Sequence, residues 1–250
     1  MRYRLFLFLF GISILIQAQD SLFHKNLVIV SFNPDMLNNQ AARPMLQQSG
    51  MSYDEMVNFL NKEMTYYIGV AFQKIIKSYP LNTSLTTNTT EDLYTIWTLQ
   101  NYFLSPIPKE QKRNVDPTSK LIGKKNPKNN GGEVVPEINS LKGNFLDSKI
   151  ADKKTFMGIT RKLHANLVLI INELDIKEDY SNPYAVGKND YTRQLQIHFT
   201  LFNNKGEEIT GNVATVDFSS KENKIKEVVT NYFPIAAQKI KQFLLPYLQQ

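Results

Sequence analysis

Residues 160–173, TRKLHANLVLIINE, join the end of an amphipathic helix to a strand, and this unit decides the fold class. The run 167–171 holds only large aliphatic side chains, which is typical of a strand buried on both faces of a sheet. His164, Ala165 and Asn166 form the turn before the strand. We expect the helix to occupy about residues 151–163 and to pack on the sheet that contains the strand.

A second unit of strand and helix lies near the start of the chain. The apolar run 26–32 predicts another buried strand. Ser52 and Glu55 have the spacing of a capping box, which opens a helix by satisfying its first free N–H groups. Apolar side chains then repeat at steps of three and four residues as far as Tyr79. We therefore predict one long helix that ends at Pro80.

The rest of the chain predicts further helices and an antiparallel hairpin. Strict alternation of apolar and polar residues indicates a strand buried on one face, and an Asn-Asn-Lys-Gly sequence is typical of a hairpin turn. The expected elements are a short strand at 81–85, a helix from Thr90 to about Leu104, strands at 191–202 and 208–218 with a possible bulge at Gly211, a turn at 203–206, and a terminal helix at about 222–245. The predicted fold is one α/β (α+β) domain with a single mixed sheet, helices packed on it, and a long terminal helix.

Residues 1–18 have the three parts of a cleaved export signal. Two arginines precede an apolar run over 5–16, and polar residues follow it. A helix of about 12 residues spans roughly 18 Å, which is too short for a hydrocarbon core of about 30 Å. We expect cleavage near Ala18 and no transmembrane segment in the remaining domain, 19–250; an uncleaved N-terminal anchor is the alternative.

The chain contains no cysteine. This excludes disulfides, thiolate-based zinc sites and a lipid anchor attached through cysteine at the cleavage point. Secreted eukaryotic domains more often carry disulfides, so we expect a periplasmic or otherwise exported protein of a Gram-negative bacterium.

Most of the basic charge belongs to one segment. The formal net charge is +6, and residues 105–142 hold eight basic and four acidic residues. The segment also contains several prolines and glycines and few large apolar side chains, so it buries too little surface to offset the entropy of ordering. We predict a flexible insertion over about 105–145. The sequence leaves two interpretations open, a merely solvated loop or a tether for an anionic partner such as an acidic envelope protein or an anionic surface.

The segment has no aromatic residue and a single arginine, so it does not have the composition of a site that stacks bases, and we expect no nucleic-acid partner. The candidate partner-binding residues here are Lys109, Lys112, Arg113, Lys120, Lys124, Lys125 and Lys128.

The order of elements resembles a small α/β domain found in envelope proteins. The helix, turn and strand at 160–173 and the C-terminal hairpin with its helix are similar to those of the TolB N-terminal region, the curli-secretion lipoproteins and the periplasmic activators of penicillin-binding proteins. The resemblance covers roughly residues 25–104 and 145–248. The chain also resembles uncharacterised exported Gram-negative proteins that carry a Lys-rich insertion at this place. This kinship implies a non-enzymatic module that binds or positions another envelope protein.

No motif predicts a cofactor or a metal site. His24, His164 and His198 have no histidine or carboxylate partner at the spacing of a metal-binding motif. The sequence also lacks a glycine-rich phosphate loop, a nucleophile elbow and a zincin helix. A site assembled from distant parts of the chain stays open at this point.

Four side chains outside the insertion are weaker candidates. Glu173 and Asp175 alternate onto one face at the expected end of the 167–171 strand, where paired carboxylates can perform acid–base chemistry or bind a cation. The alternative is that the strand simply ends in water there. Tyr180 and Tyr184 lie in a loop with a third tyrosine, where they either anchor a partner or cover the edge of the core.

The sequence thus favours an exported, non-enzymatic binding or scaffold module whose partner and oligomeric state it does not identify. The alternative is a carboxylate-dependent hydrolase that acts on envelope glycan or peptide through Glu173 and Asp175.

Overall fold

The computed structural model describes residues 25–81, 87–108, 143–180, 184 and 190–248. The expected export signal, 1–18, lies outside the described residues. The fold class is confirmed, because a mixed six-stranded sheet carries helices on both faces and ends in an antiparallel hairpin followed by a long helix.

The main sheet has the strand order β3-β1-β6-β7-β8, and β2 pairs with the far end of β6 on the same side as β1. The pairs among β1, β2, β3 and β6 are parallel, whereas β6–β7–β8 is antiparallel. A second sheet consists of β4 and β5 alone. The strands are β1 Asn26–Val30, β2 Leu37–Asn39, β3 Lys77–Leu81, β4 Gln100–Pro106, β5 Asn144–Ile150, β6 Leu167–Asp179, β7 Thr192–Asn203 and β8 Glu208–Ser219.

Three helices cover the first face of the sheet. They are α1 Ala42–Ser49, α2 Tyr53–Phe72 and α5 Ile225–Leu248. The capping box that opens α2 is confirmed, because the Ser52 hydroxyl accepts from the Glu55 amide while the Glu55 carboxylate accepts from the Ser52 amide at 2.7 Å. The larger apolar core lies between these helices and the sheet. The sheet contributes the odd-numbered side chains of β6 from Leu167 to Ile171 and those of β7 from Leu195 to Leu201.

The second face is covered by α3 Thr87–Thr98, by α4 Lys153–Lys162 and by the β4–β5 hairpin. Trp97 of α3 packs in the smaller core, and its indole N–H donates to the carbonyl of Ser31 at 2.7 Å. The helix expected at about 151–163, before β6, is confirmed as α4, and its N-cap is Asp152. Among the described residues, no helix combines the length and the apolar character required to cross a membrane.

The predicted long helix ending at Pro80 is wrong in its C-terminal part. Helix α2 ends at Phe72, and residues 77–81 form β3, which pairs with β1 in parallel. The short strand expected at 81–85 therefore lies earlier in the chain. Pro80 is tolerated because β3 is an edge strand, where the missing N–H does not interrupt the sheet. Ile76, which has the spacing of a helical core residue, is buried in the turn before β3.

The predicted helix from Thr90 to Leu104 is also wrong at both ends. Helix α3 begins at Thr87 and ends at Thr98, and β4 begins at Gln100. Strand β5 begins at Asn144, so the expected insertion at 105–145 overlaps the hairpin at each end. Only residues 109–142 lie outside the described part of the chain there.

Candidate functional site

A strip of polar side chains crosses the second face of the main sheet, and a bulge in β6 creates it. Ile171 pairs with Phe199, but Glu173 pairs with His198, so Asn172 is the extra residue. The bulge reverses the alternation of β6. Beyond the bulge, Leu174 packs in the larger core. The odd-numbered side chains of this part of β6, which are Glu173, Asp175 and Lys177, lie on the second face near His198.

The hairpin is attached to this strip through the backbone of β5. The amide of Leu146 donates to Nδ1 of His198 at 2.8 Å, and the carbonyl of Leu146 accepts from Nδ2 of Asn172 at 2.9 Å. Asn172 also donates to Thr200 at 2.7 Å and accepts from the Ser148 hydroxyl at 2.8 Å. Buried backbone groups that lack a strand partner need other partners, so these side chains take the place of a neighbouring strand.

Asp147 of β5 binds the hairpin to β7 and also links β5 to β4 within the hairpin. Its Oδ1 accepts from the Thr200 hydroxyl at 2.6 Å and from the Ser148 amide at 2.8 Å, and its Oδ2 accepts from the Ser105 hydroxyl at 3.0 Å. Gly211 of β8 lies beneath it, and a Cβ atom there would come within 2.8 Å of Asp147 Oδ1. The expected bulge at Gly211 is wrong, because the irregularity in β7–β8 pairing lies between Leu201 and Phe202. Gly211 instead allows the hairpin to approach the sheet closely.

Next to this attachment lies a compact charged group. Nε2 of His198 is 3.1 Å from Oδ2 of Asp175, and the Lys177 ammonium is 2.6 Å from the same oxygen. Glu173 Oε2 is 3.9 Å from Nε2 of His198. The Asp175 side chain is fully buried, whereas Glu173 keeps 22% of its side-chain surface exposed. The interpretation that the strand simply ends in water at these carboxylates is therefore wrong, because β6 continues to Asp179.

The two carboxyl groups differ in protonation behaviour. Burial and then the charge of Asp175 raise the pKa of Glu173 above its ordinary value of 4.5. Burial also acts to raise the pKa of Asp175. The hydrogen bond from His198 and the Lys177 ammonium outweigh it, and together they hold the pKa of Asp175 below 3.8. Asp175 is therefore an anion at neutral pH, and Glu173 is the more readily protonated of the two.

The hydrogen bonds of His198 assign its tautomer. Because Nδ1 accepts from the Leu146 amide, the proton of the neutral imidazole lies on Nε2, from which it is donated to Asp175. Both nitrogens are thus engaged, and the ring is buried. His198 presents no free lone pair to a substrate, so this histidine and aspartate do not form the base of a nucleophilic triad.

The same assignment decides whether the cluster fits a metal ion. Ligand atoms of Glu173, Asp175 and His198 lie within 4.8 Å of one another. A histidine that binds a metal through Nε2 normally donates its Nδ1 proton to an acceptor, but here Nδ1 faces an N–H donor. Without the imidazole only two carboxylates remain, and Asp175 is already bound to Lys177. The donor set does not fit a metal ion, although His198 does have carboxylate neighbours, which reach it across the strands rather than at a motif spacing along the chain.

The candidate residues of the Lys-rich insertion, Lys109 to Lys128, lie outside the described residues. The structure does describe the base of this segment. Pro106 pairs with Asn144, and the Ile107 amide donates to the carbonyl of Gly143 at 2.7 Å. Both ends of the 109–142 segment therefore leave from one closed hairpin.

The tyrosine candidates lie at the opposite end of β6. Tyr180 is 54% exposed and Tyr184 87% exposed. The Tyr180 hydroxyl donates to Glu178, which raises the pKa of Tyr180, and Glu178 forms a buried ion pair with Arg193 at 3.1 Å. Tyr180 thus contacts the carboxylate of an internal ion pair, and both interpretations of the two tyrosines stay predictions.

Residues that sequence reasoning missed hold the site together. They are Asn172, Asp147 and His198, and apart from the Ser148 amide, which binds Asp147, the groups that they bind lie at least 23 residues away along the chain. The one local signal was an Asn, a Glu and an Asp within an otherwise apolar strand at 167–176.

Comparison of this chain with models of protein families, with curated proteins and with solved structures gave no match. The resemblance to envelope α/β domains therefore stays a prediction, and the functional argument depends on the residues themselves.

Proposed function

We propose that this chain is an exported, non-enzymatic binding module that recognises an acidic protein of the cell envelope through its Lys-rich segment, 109–142. The observation that carries the proposal is the closed hairpin at the base of that segment. Its two ends are held together by the Ile107–Gly143 hydrogen bond, and the hairpin is fixed to the sheet through Leu146. A concentrated positive charge therefore starts from a fixed point on a folded domain.

The distribution of charge supports an acidic partner. Seven of the eight basic residues of 105–142 lie between Lys109 and Lys128, and only two acidic residues interrupt this run. On the hairpin itself Lys149 is exposed and lies 4.8 Å above the Phe103 ring, which adds a cation to the platform. Complementary charge accelerates association and selects partners, so a segment with this excess of cationic side chains suits the capture of an acidic surface.

The buried charged group supports a non-enzymatic role. His198 uses both ring nitrogens, and Asp175 is buried and bound by two donors. These groups strengthen the attachment of the hairpin rather than face a substrate. Export is part of the proposal because of residues 1–18.

The test compares three chains in the periplasm by in-cell crosslinking and mass spectrometry. The first is the full chain, the second replaces 109–142 with a short Gly-Ser turn, and the third keeps the length but changes the seven candidate basic residues to Gln. We expect one acidic envelope protein to crosslink to the full chain and to neither variant, and its binding to weaken as salt rises.

Equal capture by all three chains would contradict the proposal. So would binding of the full chain to anionic phospholipid vesicles with no protein captured, because this result would identify a lipid surface as the partner. Retained circular dichroism spectra of the variants would show that the loss of capture is not a loss of folding.

A hydrolase that uses Glu173 is the second candidate, and the position of the partly exposed Glu173, whose pKa is raised, beside Asp175, whose pKa is lowered, favours it. Glu173→Gln is the clean test, because Asp175→Asn would also disturb His198. Hydrolysis of envelope glycan or peptide by the full chain that Glu173→Gln abolishes without unfolding would establish this function.

A further inference from the structure

The attachment of the hairpin contains a histidine whose hydrogen bond to the hairpin requires the neutral ring. Nδ1 of His198 accepts from the Leu146 amide at 2.8 Å, and Nε2 donates to Asp175 at 3.1 Å. The imidazolium ion has N–H groups on both nitrogens and can accept at neither. A second proton would therefore place the Nδ1 hydrogen directly against the Leu146 N–H.

We propose that the hydrogen bond between His198 and Leu146 is sensitive to protonation. It holds the β4–β5 hairpin on the sheet when the ring is neutral, and it breaks when the ring is protonated. The second link to Leu146, from Asn172 to its carbonyl, does not depend on protonation. We therefore infer a local opening of β5 at acid pH and not a general unfolding. The inference does not depend on which partner, if any, the Lys-rich segment binds.

The charged groups around the ring set the balance between its two forms. From β6, Asp175 and Glu173 attract an imidazolium ion, and Lys177 repels it. From β5, Asp147 lies one step further along and is bound to Thr200, and from β4 Tyr102 stays neutral because burial and Glu173 raise its pKa to about 12. On β8 the residue opposite His198 is Val213, which carries no charge.

The two contacts of the ring respond differently to a second proton. The carboxylate of Asp175 already holds the Nε2 hydrogen and stabilises a positive ring, whereas only the Leu146 amide specifically requires the neutral ring. Protonation thus exchanges one backbone hydrogen bond for a stronger contact with Asp175. Among side chains, imidazole is the one whose charge ordinarily changes between about pH 5 and 8, and this general property sets the pH interval of the test.

The experiment measures amide hydrogen exchange of Leu146 in the full chain by NMR from pH 7.5 to 5.5, corrected for the intrinsic rate, together with the 15N shifts of His198. We expect Nδ1 to be unprotonated at pH 7.5. Exchange of Leu146 should accelerate by about ten- to a hundredfold as the ring gains its proton, since a hydrogen bond to a buried partner is lost. Amides of the β6–β7 ladder should show no matching change.

Two variants supply the controls. His198→Asn keeps an acceptor near Nδ1 but cannot be protonated, so the pH dependence at Leu146 should disappear. His164→Asn removes an exposed histidine at φ 51°, a conformation that asparagine tolerates, and should leave the pH dependence intact.

The proposal is overturned if His198 stays neutral down to pH 5.5, or if Leu146 exchange stays flat while the ring is protonated. If His198→Asn does not fold, the wild-type chain still decides, because the midpoint of Leu146 exchange must then coincide with the titration midpoint of His198.

Discussion

Gly211→Ala tests how closely the hairpin approaches the sheet. A Cβ at this position would lie 2.8 Å from Asp147 Oδ1 and 2.8 Å from Cε2 of Phe145. Contacts this short essentially never occur in folded proteins, so both side chains have to move. Phe145 is buried with 1% of its surface exposed, so its movement would lose packing contacts. Asp147 accepts hydrogen bonds from Thr200 and Ser148, so its movement would weaken them.

The cost follows from these contacts. Overpacking a well-filled core costs about 1–3 kcal/mol, and a weakened hydrogen bond adds about 1 kcal/mol. We expect Gly211→Ala to lower the free energy of unfolding by about 2–4 kcal/mol. In a domain of this size each kcal/mol corresponds to about 2–4 °C in melting temperature, so the transition should fall by roughly 4–16 °C.

The assay is urea denaturation followed by circular dichroism, and Gly158→Ala is its matched control. Gly158 is exposed in α4, and a Cβ there meets nothing within 4 Å. Alanine is the better helix former by about 0.5–1 kcal/mol, so this substitution should stabilise the chain. Two glycines changed to the same residue are thus expected to shift stability in opposite directions. A Gly211→Ala chain as stable as the wild type would refute the close docking of the hairpin.

Three further predictions concern buried polar groups. Asn172→Ala removes the partner of the Leu146 carbonyl and of the Ser148 hydroxyl and one of the two partners of the Thr200 hydroxyl, and urea denaturation should show a loss of about 2–3 kcal/mol; a loss below about 0.5 kcal/mol would count against the attachment. Glu178→Ala leaves the buried Arg193 without its carboxylate partner and should lower the free energy of unfolding by about 3–5 kcal/mol. Asp190→Ala breaks an exposed ion pair and should lower it by less than about 1 kcal/mol. Equal effects of the two substitutions would contradict the burial of the Arg193 ion pair. Glu173 has a raised pKa, so folding favours its protonated form, and that contribution is present below the ordinary value of 4.5 and lost as pH rises through the folded pKa. Glu173→Gln should therefore stabilise the chain at pH 7 but not at pH 4, and a pH-independent difference would refute the assigned direction.

The elements that could be predicted from sequence are those with a local cause. The capping box at Ser52, the aliphatic run at 167–171 and the turn at 203–206 each specify structure through neighbouring residues. The hairpin could not be predicted in the same way. Strand β4 is stabilised by β5, which follows only after the 109–142 segment, and residues 100–104 continue the spacing of the preceding helix.

The site depended on a bulge that alternation alone does not reveal. In a regular ladder without the bulge, Asn172 would pair with His198 and Glu173 with Ile197. Both carboxylates would then face the larger apolar core. The sequence pattern correctly placed Glu173 and Asp175 on one face, but the burial of Asp175 and its histidine partner come from the register of β7. A residue that binds across strands in this way shows no spacing signal along the chain.

The most direct test of the account is the hydrogen bond between Leu146 and His198, since it joins the hairpin to the sheet. An N–H···N hydrogen bond transmits a scalar coupling between its two nitrogens, which NMR of the uniformly 15N-labelled chain can detect. We predict a coupling at pH 7.5 between the Leu146 amide nitrogen and Nδ1 of His198, with the ring proton on Nε2. A ring protonated on Nδ1, or the absence of this coupling in the folded chain, would contradict the attachment of the hairpin on which the account depends.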